Sequence, residues 1–374
     1  MDWSKSDIVF MERALEVAER GRGDVNPNPL VGCILVKDGE IISEGWHNHL
    51  GGLHAEQMAI ANAEKNGKNT NGSTAYVTLE PCNHHGRTPP CTEALLWAGI
   101  KEVIISHIDP NPTVKGGGID ALKKANINVK IGLLEEKSKI QMESFLNWCE
   151  KKTPLVTLKM ATDCDGNIDD ISKSSKRFSS ETTLNLVHKL RSFCDAILVG
   201  VNTVIRDNPE LNVRRITREH VRNPLRIVMD RNLRIPHESR ILNDGNPTLI
   251  VYSKDNTEKE SSLNIKENVE LLKISENEDY DGINPADLLI KLGERGIQEL
   301  LIEGGTETAR KFVKLNLIDR VLMFRSPISF KNPIKGLTGQ EIVGLGLQRL
   351  PDVYYEDDCL ERWVRNSWPA DNWP

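Results

Sequence analysis

Cys33-Ile34-Leu35-Val36-Lys37-Asp38-Gly39-Glu40-Ile41-Ile42-Ser43 is the stretch on which the fold of this 374-residue chain turns. Two aliphatic runs flank Lys37-Asp38-Gly39, and Asp-Gly between such runs is a strong hairpin signal, because both central residues of a type I′ turn need positive φ. The stretch predicts two antiparallel strands. Just upstream, Ile8, Met11, Ala14, Leu15 and Ala18 recur at helical spacing before Gly21 and Gly23, which predicts an amphipathic opening helix. Downstream, patterns alternate: helix 55–66, strand 75–79, helix 91–98, strand 102–107, helix 118–125, strand 128–132 and helix 135–149. Such alternation is the pattern of an α/β layered domain.

Lys151-Lys152-Thr153-Pro154 is a charged break closed by proline, and the apolar run Leu155-Val156-Thr157-Leu158 starts directly after it. A boundary is expected there, dividing the chain into domains 1–150 and 151–374, since 374 residues exceed what one core usually organises. The second half alternates again. Strands are expected at 196–199, 226–229, 248–251 and 299–302, with helices at 181–191, 285–294 and 306–315. The polar stretch 255–268 reads as a surface loop, and the last 35 residues show no regular period.

Composition narrows the function classes. The chain is 39% hydrophobic and 27% charged, with 48 basic and 54 acidic residues for a formal charge of -6 and no basic stripe, so a nucleic acid is a poor partner. No stretch reaches the roughly 20 apolar residues of a membrane span, and no signal-peptide pattern opens the chain. A cytoplasmic enzyme acting on a small molecule is expected. The seven cysteines are odd in number and widely spaced, which argues against a disulfide framework and leaves some free or metal-bound.

Three of the candidate metal ligands stand out by context. His54-Ala55-Glu56 opens the helix at 55, and Pro81-Cys82 and Cys91 follow the strand at 75–79. One imidazole and two thiolates leave a fourth tetrahedral position for water, the arrangement of catalytic zinc, which lowers the pKa of that water. Glu56, two residues past His54, can aim a carboxylate at the water and carry its proton to a leaving amine. Zinc deaminases of bases commonly space the thiols as C-x-x-C, whereas eight residues, Asn83 to Pro90, separate Cys82 from Cys91. His84 and His85 fall within that interval, as metal ligands or, more in keeping with their place, as loop or substrate contacts.

The segments Asn26-Pro27-Asn28-Pro29-Leu30-Val31-Gly32, His54-Ala55-Glu56, Thr78-Leu79-Glu80-Pro81-Cys82, His84-His85-Gly86-Arg87-Thr88-Pro89-Pro90-Cys91 and Asp109-Pro110-Asn111-Pro112 together resemble the bifunctional deaminase-reductase family of riboflavin biosynthesis. In that family the longer cysteine spacing is the usual one. The resemblance implies a cytidine-deaminase-like three-layer α/β domain holding zinc on His54, Cys82 and Cys91, with Glu56 catalytic. The implied substrate is a diaminopyrimidine bearing a ribosylamino 5-phosphate, with Asn28 close to it.

The second half resembles the family's reductase, of dihydrofolate-reductase-like α/β fold, over roughly 155 to 325. Lys159-Met160-Ala161, Asp165-Gly166, Asp195-Ala196-Ile197-Leu198-Val199-Gly200, Asn202-Thr203-Val204, Asp207-Asn208-Pro209-Glu210-Leu211 and Glu303-Gly304-Gly305-Thr306 carry the likeness. It implies that Ala161, Arg177, Thr203, Asp207, Gly304, Gly305 and Thr306 meet NADPH. It places Ser175, Arg191, Leu211, Arg214 and Glu303 against the substrate, whose ribosyl group would be reduced to ribityl. Elementary chemistry agrees at two points: a glycine pair between a strand and a helix leaves free amides for a phosphate, and Arg191 and Arg214 suit a ribose phosphate.

Three places depart from the family, one of them Arg325-Ser326-Pro327-Ile328, which replaces the usual Ala-Pro ending and lacks the glycine expected just beyond. Asp163-Cys164 stands where Ser-Leu is usual, and Arg177 where a tryptophan commonly meets the cofactor. An acid near NADPH phosphates would repel them, which motivates a second reading: a deaminase whose C-terminal domain is a catalytically silent scaffold. A homo-oligomer is the expected assembly.

Overall fold

The hairpin forms where Asp38-Gly39 predicts it. Asp38 has φ 52° and Gly39 φ 81°, both in the left-handed region that a two-residue type I′ turn demands. The turn joins strand β1 (Gly32–Lys37) to β2 (Glu40–Trp46), with Lys37 paired to Glu40. This structure, a computed structural model, describes residues 2–84, 89–111, 117–171, 178–216, 222–254, 260, 262–263, 266–274, 276–277 and 282–366. They divide into two compact units at Lys151/Lys152. Among the described residues no helix is long and apolar enough to cross a membrane.

In the first unit β1 is the hinge of a five-stranded sheet of order β2-β1-β3-β4-β5, adding β3 (Thr74–Leu79), β4 (Glu102–His107) and β5 (Asn128–Ile131). β3, β4 and β5 run parallel, and the crossovers between them carry helices α3 (Cys91–Trp97) and α4 (Gly117–Lys124). The alternation of β1 separates two cores. Cys33 and Leu35 face the side covered by α2 (Ala55–Lys65), packing with Ala55, Ala59 and Val77. Ile34 and Val36 face α1 (Lys5–Ala18), packing with Met11, Ala14 and Val17. Three layers result from a period of two in a single strand.

Close approach of α2 to the sheet requires Gly45. A Cβ there would stand 2.3 Å from both Ala55 O and Ala59 N, so any larger residue would push the helix, and the residues at its N-terminus, off the sheet. The expected single helix over 135–149 is instead two, α5 (Glu135–Gln141) and α6 (Glu143–Lys151). The break falls at Met142, whose side chain is buried with Leu30, Leu79 and Phe145. There the chain leaves helical geometry (φ -103°, ψ 19°).

The second unit is built on a nine-stranded sheet of order β11-β10-β9-β8-β14-β6-β15-β18-β17. In chain order its strands and two small ribbons are β6 (Leu155–Thr162), β7 (Asn167–Asp170), β8 (Ala196–Gly200), β9 (Leu225–Met229), β10 (Thr248–Tyr252), β11 (Val269–Lys273), β12 (Glu276–Asn277), β13 (Gly282–Ile283), β14 (Glu299–Ile302), β15 (Arg320–Arg325), β16 (Pro333–Lys335), β17 (Gln348–Tyr355) and β18 (Asp358–Val364). All neighbours in the large sheet are parallel except the pairs β15/β18 and β18/β17. Helix α7 (Glu181–Phe193) covers one face through Val187 and Leu190. The helices Pro285–Glu294 and Thr306–Lys314 cover the other through Leu288, Leu292, Ala309 and Phe312.

The chain's last strands are the main departure from the sequence expectation. β17 and β18 form a hairpin on the sheet where no regular period is visible. Pro351 and a bulge between Leu350 and Val353 interrupt β17, which is the edge strand, where a missing N–H breaks no interior ladder.

Candidate active sites

In the first unit the N-termini of α2 and α3 meet beyond the end of β3. His54 is the extended N-cap residue of α2, and Cys91 is the first residue of α3. Cys82, three residues past Leu79, is brought between them. The His54 Nδ1 lies 3.5 Å from the Cys82 sulfur and 3.3 Å from the Cys91 sulfur. All three ligand atoms fall within 4.8 Å of one another, the one such cluster of three or more among the described residues. Ligands bonded at about 2.1–2.3 Å to a tetrahedral zinc are separated by about 3.6 Å, so this donor set fits the ion without rearrangement. The backbone N–H of Cys91 reaches the Cys82 sulfur at 3.5 Å. That contact, the Cys91 thiol and His54 hold Cys82 toward its thiolate form.

Glu56, in the first turn of α2, is 3% exposed. Burial, reinforced by the charge on Cys82, pushes its carboxyl up to about 7. A carboxyl so placed exchanges protons readily near neutral pH. Asn28 joins it through a residue the sequence reading did not single out. Buried His47 donates from Nδ1 to Leu53 O at 2.9 Å, which leaves Nε2 to accept from the Asn28 amide at 3.0 Å. Burial keeps His47 neutral, and its ring meets that of His54 edge-on at 5.4 Å. Only a lone His after a strand marks it in the sequence. Asn28, His47, His54, Glu56, Cys82 and His84 line a cavity of about 560 Å³ with Asp109, Asn111 and Trp148. His85 lies outside the described residues.

In the second unit the site gathers at the carboxyl ends of adjacent strands β6, β14 and β8, where open α/β sheets place their ligands. A cavity of about 680 Å³ is lined by Ala161, Arg191, Thr203, Asp207, Leu211, Arg214, Glu303, Gly304, Gly305 and Thr306. Ser175 and Arg177 lie outside the described residues. Gly305 caps the helix Thr306–Lys314 with no side-chain bond to its first amides, and a Cβ on Gly305 would find only Thr203 Oγ1, at 3.8 Å. An open amide cradle beside a threonine fits a nucleotide phosphate.

Glu303 follows β14 and is held by two cations. Arg191 donates to it bidentately at 2.6 and 2.9 Å, and the Lys159 ammonium stands 3.7 Å away on the neighbouring strand. Burial alone would raise this carboxyl, but Arg191 and then Lys159 pull it down to about 2. The Arg191 fork is therefore engaged by Glu303. Arg214 stands 3.6 Å from Glu210 and donates to the Asn212 amide oxygen at 2.7 Å. Leu211, buried, sits at φ 50°, a conformation that costs a non-glycine residue roughly 1–2 kcal/mol.

Asp163 does not line the cavity. It is wholly buried in the turn between β6 and β7, accepting from Asn167 N and Nδ2, Asp165 N and Phe330 N. Its charge is spent on that turn, which removes the repulsion its sequence position suggested.

Comparison with known proteins supplies the family context. The model of the cytidine and deoxycytidylate deaminase zinc-binding region matches residues 4–107, and that of the RibD C-terminal domain matches 154–341. The riboflavin biosynthesis protein RibD of Aquifex aeolicus is 39% identical over 321 residues, covering 86% of this chain and 87% of that protein. The Escherichia coli RibD is 35% identical over 357 residues, covering 93% and 94%. Among solved structures, a diaminohydroxyphosphoribosylaminopyrimidine deaminase/5-amino-6-(5-phosphoribosylamino)uracil reductase from Thermotoga maritima superposes with a TM-score of 0.82 at 34% identity, covering 96% of this chain and 98% of that one. Acinetobacter baumannii RibD gives 0.84 at 33%, covering 96% and 99%. The expected fold, a cytidine-deaminase-like α/β domain followed by a reductase α/β domain, agrees with these likenesses.

Proposed function

Because the chain belongs to the RibD family of riboflavin biosynthesis proteins, we propose that its first half, 1–150, deaminates a diaminopyrimidine bearing a ribosylamino 5-phosphate and its second half, 151–374, reduces the ribosyl group to ribityl with NADPH. The observation that carries this reading is the pairing, in one chain, of the His54/Cys82/Cys91 cluster beside Glu56 with the amide cradle beside Glu303. The substrate is a small phosphorylated pyrimidine rather than a nucleic acid, in keeping with a formal charge of -6. The enzyme is read as a cytoplasmic homo-oligomer.

His54 Nδ1 and the Cys82 and Cys91 thiolates hold zinc, which when bound supplies Lewis acidity and a strong water-derived nucleophile near neutral pH. Glu56 accepts a proton on its carboxylate and delivers it to the departing amino group, so that ammonia leaves. Asn28, locked by His47, holds the pyrimidine edge in register. In the second half NADPH supplies a hydride when bound. The Gly304-Gly305-Thr306 amides and Thr203 hold its phosphates, with Ala161 and Asp207 alongside. Arg214, Leu211 and the Arg191–Glu303 pair shape the sugar end, and Ser175 and Arg177 keep the roles the resemblance assigns them.

The test is a mass-spectrometric time course of the zinc-loaded chain on the diaminopyrimidine ribosylamino phosphate, without and then with NADPH. Amino-to-oxo conversion in both runs, with the ribityl product only when NADPH is present, is expected. Deamination alone would leave the second half a scaffold, and no conversion would reject the substrate.

A further inference from the structure

One side chain in the second cavity has a chemistry that neither the sequence motifs nor the roles above use. His188 lies on α7, three residues before Arg191, so both project from the same face of the helix. It is 3% exposed and lines the cavity with Arg191, Arg214 and Glu303. Its Nδ1 accepts the backbone N–H of Arg214 at 3.3 Å. A neutral ring that accepts at Nδ1 carries its proton on Nε2. Among the described residues no acceptor meets that N–H, and His188 lines the open cavity. A ligand atom is the natural acceptor.

The surroundings say which kind. Burial first, then Arg191 and Arg214, pull the His188 imidazole down to about 4, with Arg215 adding in the same sense and Glu303 opposing. The ring is therefore an uncharged donor near neutral pH, standing in a positive local field. Arg191, engaged by Glu303, and Arg214, bonded to Asn212, line the same cavity as His188 and make its local field positive. An oxyanion is the acceptor that suits a neutral N–H in a cavity lined by two guanidinium groups.

We propose that His188 is a substrate-positioning residue of the reductase half, donating from Nε2 to the phosphate of the phosphosugar substrate while its Nδ1 holds the Leu211–Arg214 segment in place. The inference rests on the reductase reading and deepens it by naming where the phosphate sits. No proton is transferred in this role: a neutral imidazole donating its only N–H is a hydrogen-bond donor, not an acid.

Steady-state NADPH oxidation by the full chain on the deaminated substrate tests it, comparing wild type with His188→Asn and His188→Gln. Asparagine cannot reach the Nε2 position, whereas the glutamine amide nitrogen can. A hydrogen bond to a charged group predicts that His188→Asn raises KM about 10- to 100-fold while kcat changes less than about 3-fold. His188→Gln should recover most of that loss. Inorganic phosphate, used as a competitive inhibitor, should weaken by the same factor in His188→Asn. Thermal melting of each variant reports on the Nδ1 contact separately. Unchanged KM in His188→Asn, a loss confined to kcat, or an unaltered phosphate inhibition constant would each overturn the assignment while leaving the reductase reading intact. A wild-type chain that oxidises no NADPH would instead sink both.

Discussion

Glu56 and Glu303 are both buried carboxylates next to the end of a regular element, one in each half, and their surroundings drive them in opposite directions. Glu56 lies beside the Cys82 sulfur, and burial with that charge lifts it to about 7 against the opposing pull of His54. Glu303 faces Arg191 and Lys159, which overcome its burial and bring it to about 2. The first can trade a proton near neutral pH, and the second is a permanent anion that organises cations. Burial alone does not make a carboxyl catalytic; what lies within about 4 Å of it decides.

The comparison breaks most severely at Glu56. Glu56→Gln should lower deamination by about 10²- to 10⁴-fold, the usual weight of positioned proton transfer, with zinc content by atomic absorption unchanged and NADPH oxidation on pre-deaminated substrate intact. A variant that kept most of its deaminase rate would remove Glu56 from the chemistry. Stripping the metal with a chelator should likewise abolish deamination alone, and Cys82→Ser or Cys91→Ser should purify without stoichiometric zinc.

Glu303→Gln should act on a different quantity. Removing one partner of a buried ion pair leaves Arg191 uncompensated, for about 3–5 kcal/mol of lost stability in the second half, read by calorimetry as an earlier transition while deamination persists. The pH dependence follows from the sign of the shift. A carboxyl depressed in the folded state stabilises it above its ordinary value of 4.5, and this contribution disappears as pH falls toward 2. The second half of the wild-type chain should therefore lose stability across that window, and Glu303→Gln should flatten the slope. An unaltered acid profile would show that the pair does not govern acid stability.

The smallest effect separates scaffold from site. Asp163→Ser removes an acceptor of several buried N–H groups and should cost about 1–3 kcal/mol, while the KM for NADPH stays within about 2-fold because the carboxylate points into its own turn. A marked improvement in NADPH affinity would mean that Asp163 repels the cofactor after all.

Much of the site is legible along the chain because its chemistry is local. His54 and Glu56 share one helical turn, Cys91 opens a helix, and Gly304-Gly305-Thr306 spans a strand-to-helix junction, so residue type and spacing already carry the geometry. His47 and His188 are not legible this way. Each is a lone histidine whose role depends on a partner far along the chain, Asn28 for one and Arg214 for the other. The same holds for Asp163, whose position beside a cofactor motif suggests repulsion until the side chain is seen to turn inward.

By itself the sequence determined the hairpin at Asp38-Gly39, the alternation that makes both halves α/β, and the donor set for zinc. These depend on φ/ψ preferences, side-chain period and ligand chemistry, all of which act over a few residues. Only the tertiary structure decided that Arg191 belongs to Glu303, that His188 reaches the cavity with its Nδ1 on the Arg214 amide, and that the β17–β18 hairpin completes the larger sheet. Those outcomes rest on pairings across 26 residues for His188 and 112 for Arg191, or on an edge strand interrupted by Pro351, and a pairing free energy is set by which groups burial brings together rather than by their order in the chain.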